Sequence, residues 1–306
     1  MRRRSLIIIN CLCLGIIVLA LAVRISRALP FSDPRHQAYN AWKALFPDAN
    51  FYAPDKVKPA PKSAGPTITA KAYLVGNIAS GKVYIEQNSA AALPVASMSK
   101  LITAIAATDT MEPGAEVGIT AEETDVASDT ARLSAGETFT VRELLYPLLL
   151  DSSNVAAEAL ASSSDRVKFL ELMSSYAWEV GMPSTFFADP SGINPRNIST
   201  ARDFFNLAKY LYRSKPDILA LTRTIRADTG TTSEHGAHDF VNIHPFVTDP
   251  NFLGGKTGHT VAAGDTMLTI MKINGQPIAV VVLASENRKA DTKLLLDRIR
   301  ATVAER

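Results

Sequence analysis

The segment Pro94-Val95-Ala96-Ser97-Met98-Ser99-Lys100-Leu101-Ile102-Thr103-Ala104-Ile105-Ala106-Ala107 decides how this chain reads. From Ser97 to about Ala107 it is almost wholly apolar, and a helix that is apolar all round is a buried one. Lys100 is the exception, one helical turn beyond Ser97. Positions i and i+3 share a face, so the amine reaches the hydroxyl. A serine needs a base to become a nucleophile at neutral pH, and a lysine serves as that base only when neutral. Burial in this helix lowers its pKa, and the charge of Lys256, if it lies nearby, lowers it further. A serine at the helix start also has backbone N–H groups aimed at a developing oxyanion. The plainer alternative is a helix cap beside a surface lysine. The apolar run around Lys100 argues against a purely solvated role.

Outward from this helix the pattern changes twice. Lys71 to Ala79 and Lys82 to Gln87 read as strands joined by a turn at Ser80-Gly81. Thr140 with Glu143 forms a capping-box pattern before Leu144, Leu145, Leu148 and Leu149. A helix is expected just after Asn154, and another from Ser199 or Thr200 with Phe204, Leu207, Ala208 and Leu211 on one face. Thr266 to Ile273 and Ile278 to Leu283 read as strands around Asn274-Gly275, and Asp291 to Val303 as a final helix. Strands early and late with helices between predict an α/β (α+β) fold. Its antiparallel sheet is built from both ends of the domain and flanked by helices, with a helical subdomain over roughly 110–235 inserted between the first and last strands.

The 306 residues are 47% apolar, enough to bury a substantial core. The net charge is +2 and the basic residues are scattered, which gives no footprint for nucleic acid. The two cysteines, Cys11 and Cys13, lie in the apolar N-terminal segment, so the rest of the chain has no disulfide framework and no thiolate metal site. Arg2, Arg3 and Arg4 precede an apolar run from Leu6 to Val23 that is broken by Asn10. The run is about long enough to span a bilayer. Basic residues before it favour a cytoplasmic N-terminus and an exported remainder, although Arg24 and Arg27 follow it and Ala20-Leu21-Ala22 offers a signal-peptidase site. Residues 1–30 are therefore expected to be a membrane anchor or signal segment, with an uncleaved anchor preferred. Residues 31–66 read as a stalk, because Pro54, Pro59, Pro61 and Pro66 alternate with Lys56, Lys58 and Lys62. Ala38, Trp42, Leu45 and Phe46 recur at near-helical spacing, as a short helix at the membrane surface or one packed on the folded domain. That domain is expected to run over 67–306.

Two further motifs complete the chemistry: Ser152-Ser153-Asn154 and Lys256-Thr257-Gly258. Alone, the first reads as a loop capping the next helix and the second as a strand edge with a turn. Together with Ser97-Met98-Ser99-Lys100, in this order, they form the trio of β-lactamases and penicillin-binding proteins. The sequence resembles the low-molecular-mass D-alanyl-D-alanine carboxypeptidases, the S11 class of serine peptidases. The likeness includes the segments 94–101, 148–157, Asp189-Pro190-Ser191-Gly192, 199–203 and Gly255-Lys256-Thr257-Gly258-His259-Thr260, and runs from about Thr67 to the end. One departure is local: the family usually has Ser-Gly-Asn-Asp where this chain has Ser152-Ser153-Asn154-Val155. Many members also carry a β-rich C-terminal domain and an amphipathic tail, and this sequence stops before either.

The resemblance implies a DD-peptidase/β-lactamase-like fold and a membrane-attached enzyme acting outside the cytoplasm on D-Ala-D-Ala ends of peptidoglycan stem peptides. It implies β-lactams as covalent inhibitors and no cofactor or metal. It makes Ser97 the acylated nucleophile and Lys100 its base. Ser152 would relay protons to the leaving amine, and Asn154 would hold the substrate amide. Lys256 would shape the field, and Thr257 would bind the terminal carboxylate beside Gly258. The backbone N–H groups of Ser97 and His259 would form the oxyanion hole. Arg288, expected after a strand beside that of Lys256, would assist in carboxylate recognition; an exposed loop arginine is the alternative. A class A β-lactamase would need a Glu downstream of the second motif, and Phe187 to Asn194 supplies only Asp189. A DD-endopeptidase uses the same groups, and nothing favours an inert penicillin-binding sensor, because all the catalytic side chains are present. His235, His238 and His244 cluster, but Gly236 and Pro245 break regular structure and no Cys or well-spaced Glu completes a metal site, so a loop near the active-site rim is expected.

Overall fold

The central sheet takes its five strands from opposite ends of the domain, as expected. In this computed structural model, which describes residues 67–126, 129 and 132–304, the strands are β1 (Ala72–Asn77), β2 (Val83–Gln87), β3 (Leu93–Pro94), β4 (Glu116–Gly118), β5 (Thr138–Thr140), β6 (Ile198–Ser199), β7 (Arg226–Gly230), β8 (His238–Val241), β9 (Phe252–Thr260), β10 (Gly264–Ile273) and β11 (Gln276–Ser285). The helices are α1 (Lys100–Thr110), α2 (Ala121–Thr124), α3 (Val141–Tyr146), α4 (Asn154–Ser162), α5 (Arg166–Glu179), α6 (Ala201–Ser214), α7 (Pro216–Leu221) and α8 (Arg288–Ala304). The main sheet has the order β2-β1-β11-β10-β9, with antiparallel neighbours throughout. The pairs β3–β6, β4–β5 and β7–β8 form small separate ribbons.

The order follows from local signals and one long-range pairing. At the Asn274-Gly275 turn both residues have positive φ, 49° and 77°, the backbone that matches the right-handed twist of a two-residue hairpin. It joins β10 to β11, and β11 then pairs with β1 from Ala72↔Leu283 to Asn77↔Ile278. Ile278 to Leu283 are all buried, because both faces of the sheet are covered. One face packs on the helical body through Leu74, Val281 and Leu283 against α1, α4, α5 and α6. The other packs on α8 through Val280, Val282, Leu295, Leu296 and Ile299. On that side the buried carboxylate of Asp291 ties α8 to the first described residues. It accepts from Thr69 N (2.9 Å), Thr69 Oγ1 (2.7 Å), Ala70 N (2.8 Å) and Ser285 Oγ (2.6 Å).

Among the helices, α1 is buried from Lys100 to Ala107 as its composition requires, and α6 buries Phe204, Leu207, Ala208 and Leu211 behind a Thr200 cap. The Thr140–Glu143 capping box is present: Thr140 N donates to Glu143 Oε2 (2.7 Å) and Glu143 N to Thr140 Oγ1 (3.2 Å). The helix it starts is shorter than the leucines suggest. Pro147 follows Tyr146, and Pro147–Asp151 continues as a wider π-helical turn that ends at Ser152 in the left-handed region. Some elements depart from the sequence reading. It assigns nothing to α5, which buries Phe169, Met173, Tyr176 and Ala177 at helical spacing. It expects a loop where β7 and β8 form a hairpin, because Gly230 and Gly236 obscure the alternation there.

The described residues fall in one unit, Phe46–Arg306, and no helix among them is long and apolar enough to cross a membrane. The expected anchor and stalk, residues 1–66, lie outside the described residues.

Candidate active site

The Ser97 turn, the Ser152–Asn154 turn and the edge strand β9 meet at two buried amines. Ser97 lies in the 3₁₀ turn Ala96–Ser99 that runs into α1, and Lys100 opens α1. The Lys100 Nζ donates to Ser97 Oγ at 2.9 Å, to Asn154 Oδ1 at 2.7 Å and to the Ser191 carbonyl at 2.5 Å. Its exposure is 0%. Burial lowers its pKa from 10.5 to about 7, against the upward pull of Asp189, Asp129 and Glu158. The expected repulsion from the second amine is expressed at Lys256, which is held well below its ordinary value by burial first, then by Lys100 and Arg288. The Lys256 Nζ donates to Ser152 Oγ (2.8 Å) and to the Thr257 carbonyl (3.1 Å). Lys256 and Thr257 are both buried on β9.

Each turn is locked from behind. At Ser152 φ is 67°, a left-handed backbone that is strained for a side-chain-bearing residue. Ser153 caps α4 by accepting from Ala156 N (3.0 Å), which is the plainer reading of this motif alone, while Ser152 and Asn154 face the two lysines. Ser153 occupies the position where the resembled family usually has glycine. Its hydroxyl donates to Asp129 (2.8 Å), which also accepts from Asn154 N (2.5 Å) and Val155 N (3.1 Å).

Asp189 builds the loop that carries the Ser191 carbonyl. It accepts from Ser191 N (2.8 Å), Gly192 N (2.5 Å) and Asn194 N (2.6 Å), and Asn197 Nδ2 braces it at 3.1 Å. Gly192 has φ +90°, and a Cβ there would stand 2.1 Å from the Ala96 carbonyl. Gly258 is bare for a related reason: a Cβ would stand 2.9 Å from Ser97 N and 2.9 Å from the Val95 carbonyl. Only glycine lets β9 press its backbone on the Ser97 turn.

His259 is exposed at its side chain, and its Nδ1 pairs with Asp265 at 2.9 Å. Arg288 requires a correction. The strand before it, β11, does not adjoin β9; β10 lies between them. Arg288 opens α8, and its length still bridges the gap: Nη1 donates to the Gly258 carbonyl at 2.7 Å and to Asp265 Oδ1 at 3.3 Å.

The three histidines part company. His235 stacks on Phe139 and lies 3.6 Å from Glu143, whereas His238 on β8 meets Glu137 at 2.7 Å. His244 is buried against β10 with Nε2 3.1 Å from the Leu268 carbonyl, and burial drives its pKa down to about 3, so it is neutral. Among the described residues no three His, Cys, Asp or Glu side chains gather as a metal site would need. The hairpin β7–β8 does adjoin the Ser152 turn, because Val241 N donates to Asp151 Oδ1 (2.8 Å) and Ile243 N to the Leu150 carbonyl (3.2 Å). An apolar cavity of about 430 Å³ lined by Met111, Val141, Leu145, Ile218 and Leu221 includes none of the catalytic candidates.

Asp129, Asp189, Ser191 and Asp265 are absent from the sequence-derived site. Only Asp189 and Ser191 have a local signal, within Asp189-Pro190-Ser191-Gly192.

Comparison with known proteins gives a consistent picture. Residues 58–287 match the model of the peptidase S11 family, described as D-alanyl-D-alanine carboxypeptidase. A D-alanyl-D-alanine endopeptidase of Haemophilus influenzae is 30% identical over 246 residues, covering 76% of this chain and 82% of that protein. The crystal structure of a D-alanyl-D-alanine carboxypeptidase from Mycobacterium tuberculosis superposes with a TM-score of 0.70 at 26% identity, covering 79% of this chain and 95% of that one. The Streptomyces K15 DD-transpeptidase gives 0.69 at 25% identity, covering 77% and 98%.

Proposed function

This chain belongs to the S11 family of D-alanyl-D-alanine carboxypeptidases, and from that premise we propose how its residues divide the work of a serine-type DD-carboxypeptidase. The reaction removes the terminal D-Ala of a peptidoglycan stem peptide. The observation that carries the reading is the environment of Lys100. A neutral amine has two N–H bonds and one lone pair. Asn154 Oδ1 and the Ser191 carbonyl are acceptors only, so they take the two N–H bonds and leave the lone pair for Ser97 Oγ at 2.9 Å. With its pKa near 7, Lys100 is in the basic form in about half of the molecules at neutral pH.

Ser97 Oγ attacks the penultimate carbonyl carbon and its proton passes to Lys100. The oxyanion is held by the amides of Ser97 and His259. On collapse the C–N bond breaks, and the leaving D-Ala amine takes a proton by way of Ser152, whose hydroxyl is bonded to Lys256. Water then cleaves the Ser97 ester. Thr257 is assigned to the terminal carboxylate, and Arg288 reaches the same strand at the Gly258 carbonyl. A β-lactam would trap the same serine.

Endopeptidase work on cross-links is a second reading, favoured by the name of the Haemophilus relative. Incubation with an N-acylated Lys-D-Ala-D-Ala peptide should release D-Ala, and intact mass after penicillin should rise by one adduct that maps to the Ser97 peptide. An adduct that persists in Ser97→Ala overturns the assignment.

The anchor expected at residues 5–23 supports a protein held in the cell membrane, its N-terminus cytoplasmic and its catalytic domain outside. Recovery of a soluble protein whose N-terminus is Val23 would refute it in favour of a cleaved signal.

A further inference from the structure

We infer that Arg288 is a positioning residue for the oxyanion hole: its guanidinium fixes the peptide between Gly258 and His259, so that the His259 N–H faces the carbonyl under attack. The inference rests on the reading of the Ser97 and His259 amides as the oxyanion donors.

The peptide in question has two ends. Its oxygen is the Gly258 carbonyl, which accepts from Arg288 Nη1 at 2.7 Å. Its N–H is that of His259. A trans peptide is planar with oxygen and hydrogen on opposite sides, so a group that pins the oxygen also aims the hydrogen. Arg288 approaches from α8, which follows β11 on the inner side of β9, whereas β9 is the last strand of the sheet. On this inference the N–H points towards the open edge. The nucleophile turn sits at that edge, close enough that a Cβ on Gly258 would come within 2.9 Å of Ser97 N.

The clamp is itself clamped. Asp265 is the register partner of His259 across β9 and β10. Its Oδ1 lies 3.3 Å from Arg288 Nη1 and 2.9 Å from His259 Nδ1, and its Oδ2 accepts the Arg288 backbone N–H at 3.3 Å. Side chain and main chain of residue 259 are thus both tied to one Arg–Asp pair. The contact also polarises the peptide. A cation at the carbonyl oxygen draws electron density from nitrogen and makes the N–H a stronger donor. The field of Arg288 reaches this site independently, since it contributes to the lowered pKa of Lys256.

A receptor for the substrate carboxylate makes different demands. Among the described residues, Nε and Nη2 of Arg288 have no hydrogen-bond acceptor, so a carboxylate is a chemically reasonable rival ligand. Two measurements separate the roles. The first compares N-acyl-Lys-D-Ala-D-Ala with its C-terminal amide. The second is the affinity for a peptidyl boronic acid without a carboxylate, which forms a tetrahedral adduct on Ser97.

Arg288→Ala should lower kcat about 10- to 100-fold on both peptides with KM nearly unchanged, and weaken the boronic acid by a similar factor. Arg288→Lys, which keeps a cation within reach, should recover part of the loss. Asp265→Asn, which keeps an acceptor for the arginine, guards against misfolding of the alanine variant and should give a smaller loss of the same kind. A loss confined to the free acid, expressed in KM with the boronic acid unaffected, overturns the inference in favour of carboxylate recognition. So does wild-type behaviour of both arginine variants. Failure of the wild-type enzyme to acylate with penicillin would instead remove the premise about Ser97.

Discussion

Two buried polar clusters flank the main sheet of this molecule, and they are built on opposite principles. On the α8 side, one carboxylate, Asp291, meets four donors from Thr69, Ala70 and Ser285. On the helical side, two amines share one site with no carboxylate among the described residues in hydrogen-bond contact, and Lys256 is held down partly by the charge of Lys100. A satisfied buried charge fastens chain segments together. An amine whose charged form is penalised stays reactive, because its lone pair is exposed at neutral pH. The first arrangement serves stability, and the second, on the proposed reading, serves chemistry at a cost in stability.

That contrast is broken or sharpened by variants on each side. The largest effect is expected for Ser97→Ala, which removes the proposed nucleophile. The rate of D-Ala release should fall by about 10⁴-fold or more while the melting temperature changes little. Asp291→Ala should do the reverse. Leaving buried donors without an acceptor costs roughly 2–4 kcal/mol, read by urea denaturation, whereas kcat/KM of the folded enzyme should stay within about twofold. A large loss of activity in folded Asp291→Ala would mean that the two clusters are coupled through the sheet.

The pH dependence is a smaller effect. As the proposed base, Lys100 must be neutral to accept the Ser97 proton, and burial lowers its pKa to about 7. The active form is therefore lost as pH falls through that value, and kcat/KM should be about tenfold lower at pH 6 than at pH 8. The linkage to stability has a definite sign. The unfolded lysine binds a proton up to its ordinary value near 10.5, so between about 7 and 10.5 the unfolded state holds more protons than the folded one. Stability contributed by this group rises with pH across that window, and below about 7 its burial penalty is fully present. A flat rate profile from pH 6 to 8 would exclude Lys100 as the base in the form described.

Much of this was legible because it is local. The i, i+3 spacing of Ser97 and Lys100, the Thr140–Glu143 box and the Asn274-Gly275 turn each involve only a few consecutive residues, and each forms as read. The order of β9, β10 and β11 was available from the same hairpin logic, yet the arginine after β11 was read as beside β9. The supports of the site were not legible for a physical reason. Ser191 lies in a stretch that the sequence marks, but it acts through its main-chain oxygen, a role that its side chain does not advertise. Asp129 and Asp265 act only because distant segments are brought against them. Burial of Lys100 was read correctly from its apolar run, but the three carboxylates that pull its pKa back up come from elsewhere in the chain.

The pairing of β1 with β11 has a consequence for how the chain is made. The first strand waits about 200 residues for its central partner, a highly non-local contact of the kind that slows folding. During synthesis from the N-terminus, β1 and β2 emerge as an isolated hairpin, which is marginal in water, and the Lys256 strand arrives only near the end. The sheet therefore cannot close on a partly made chain. This ordering leaves the first strands without their central partner until late in synthesis and delays assembly of the two-lysine centre until the last strands are made.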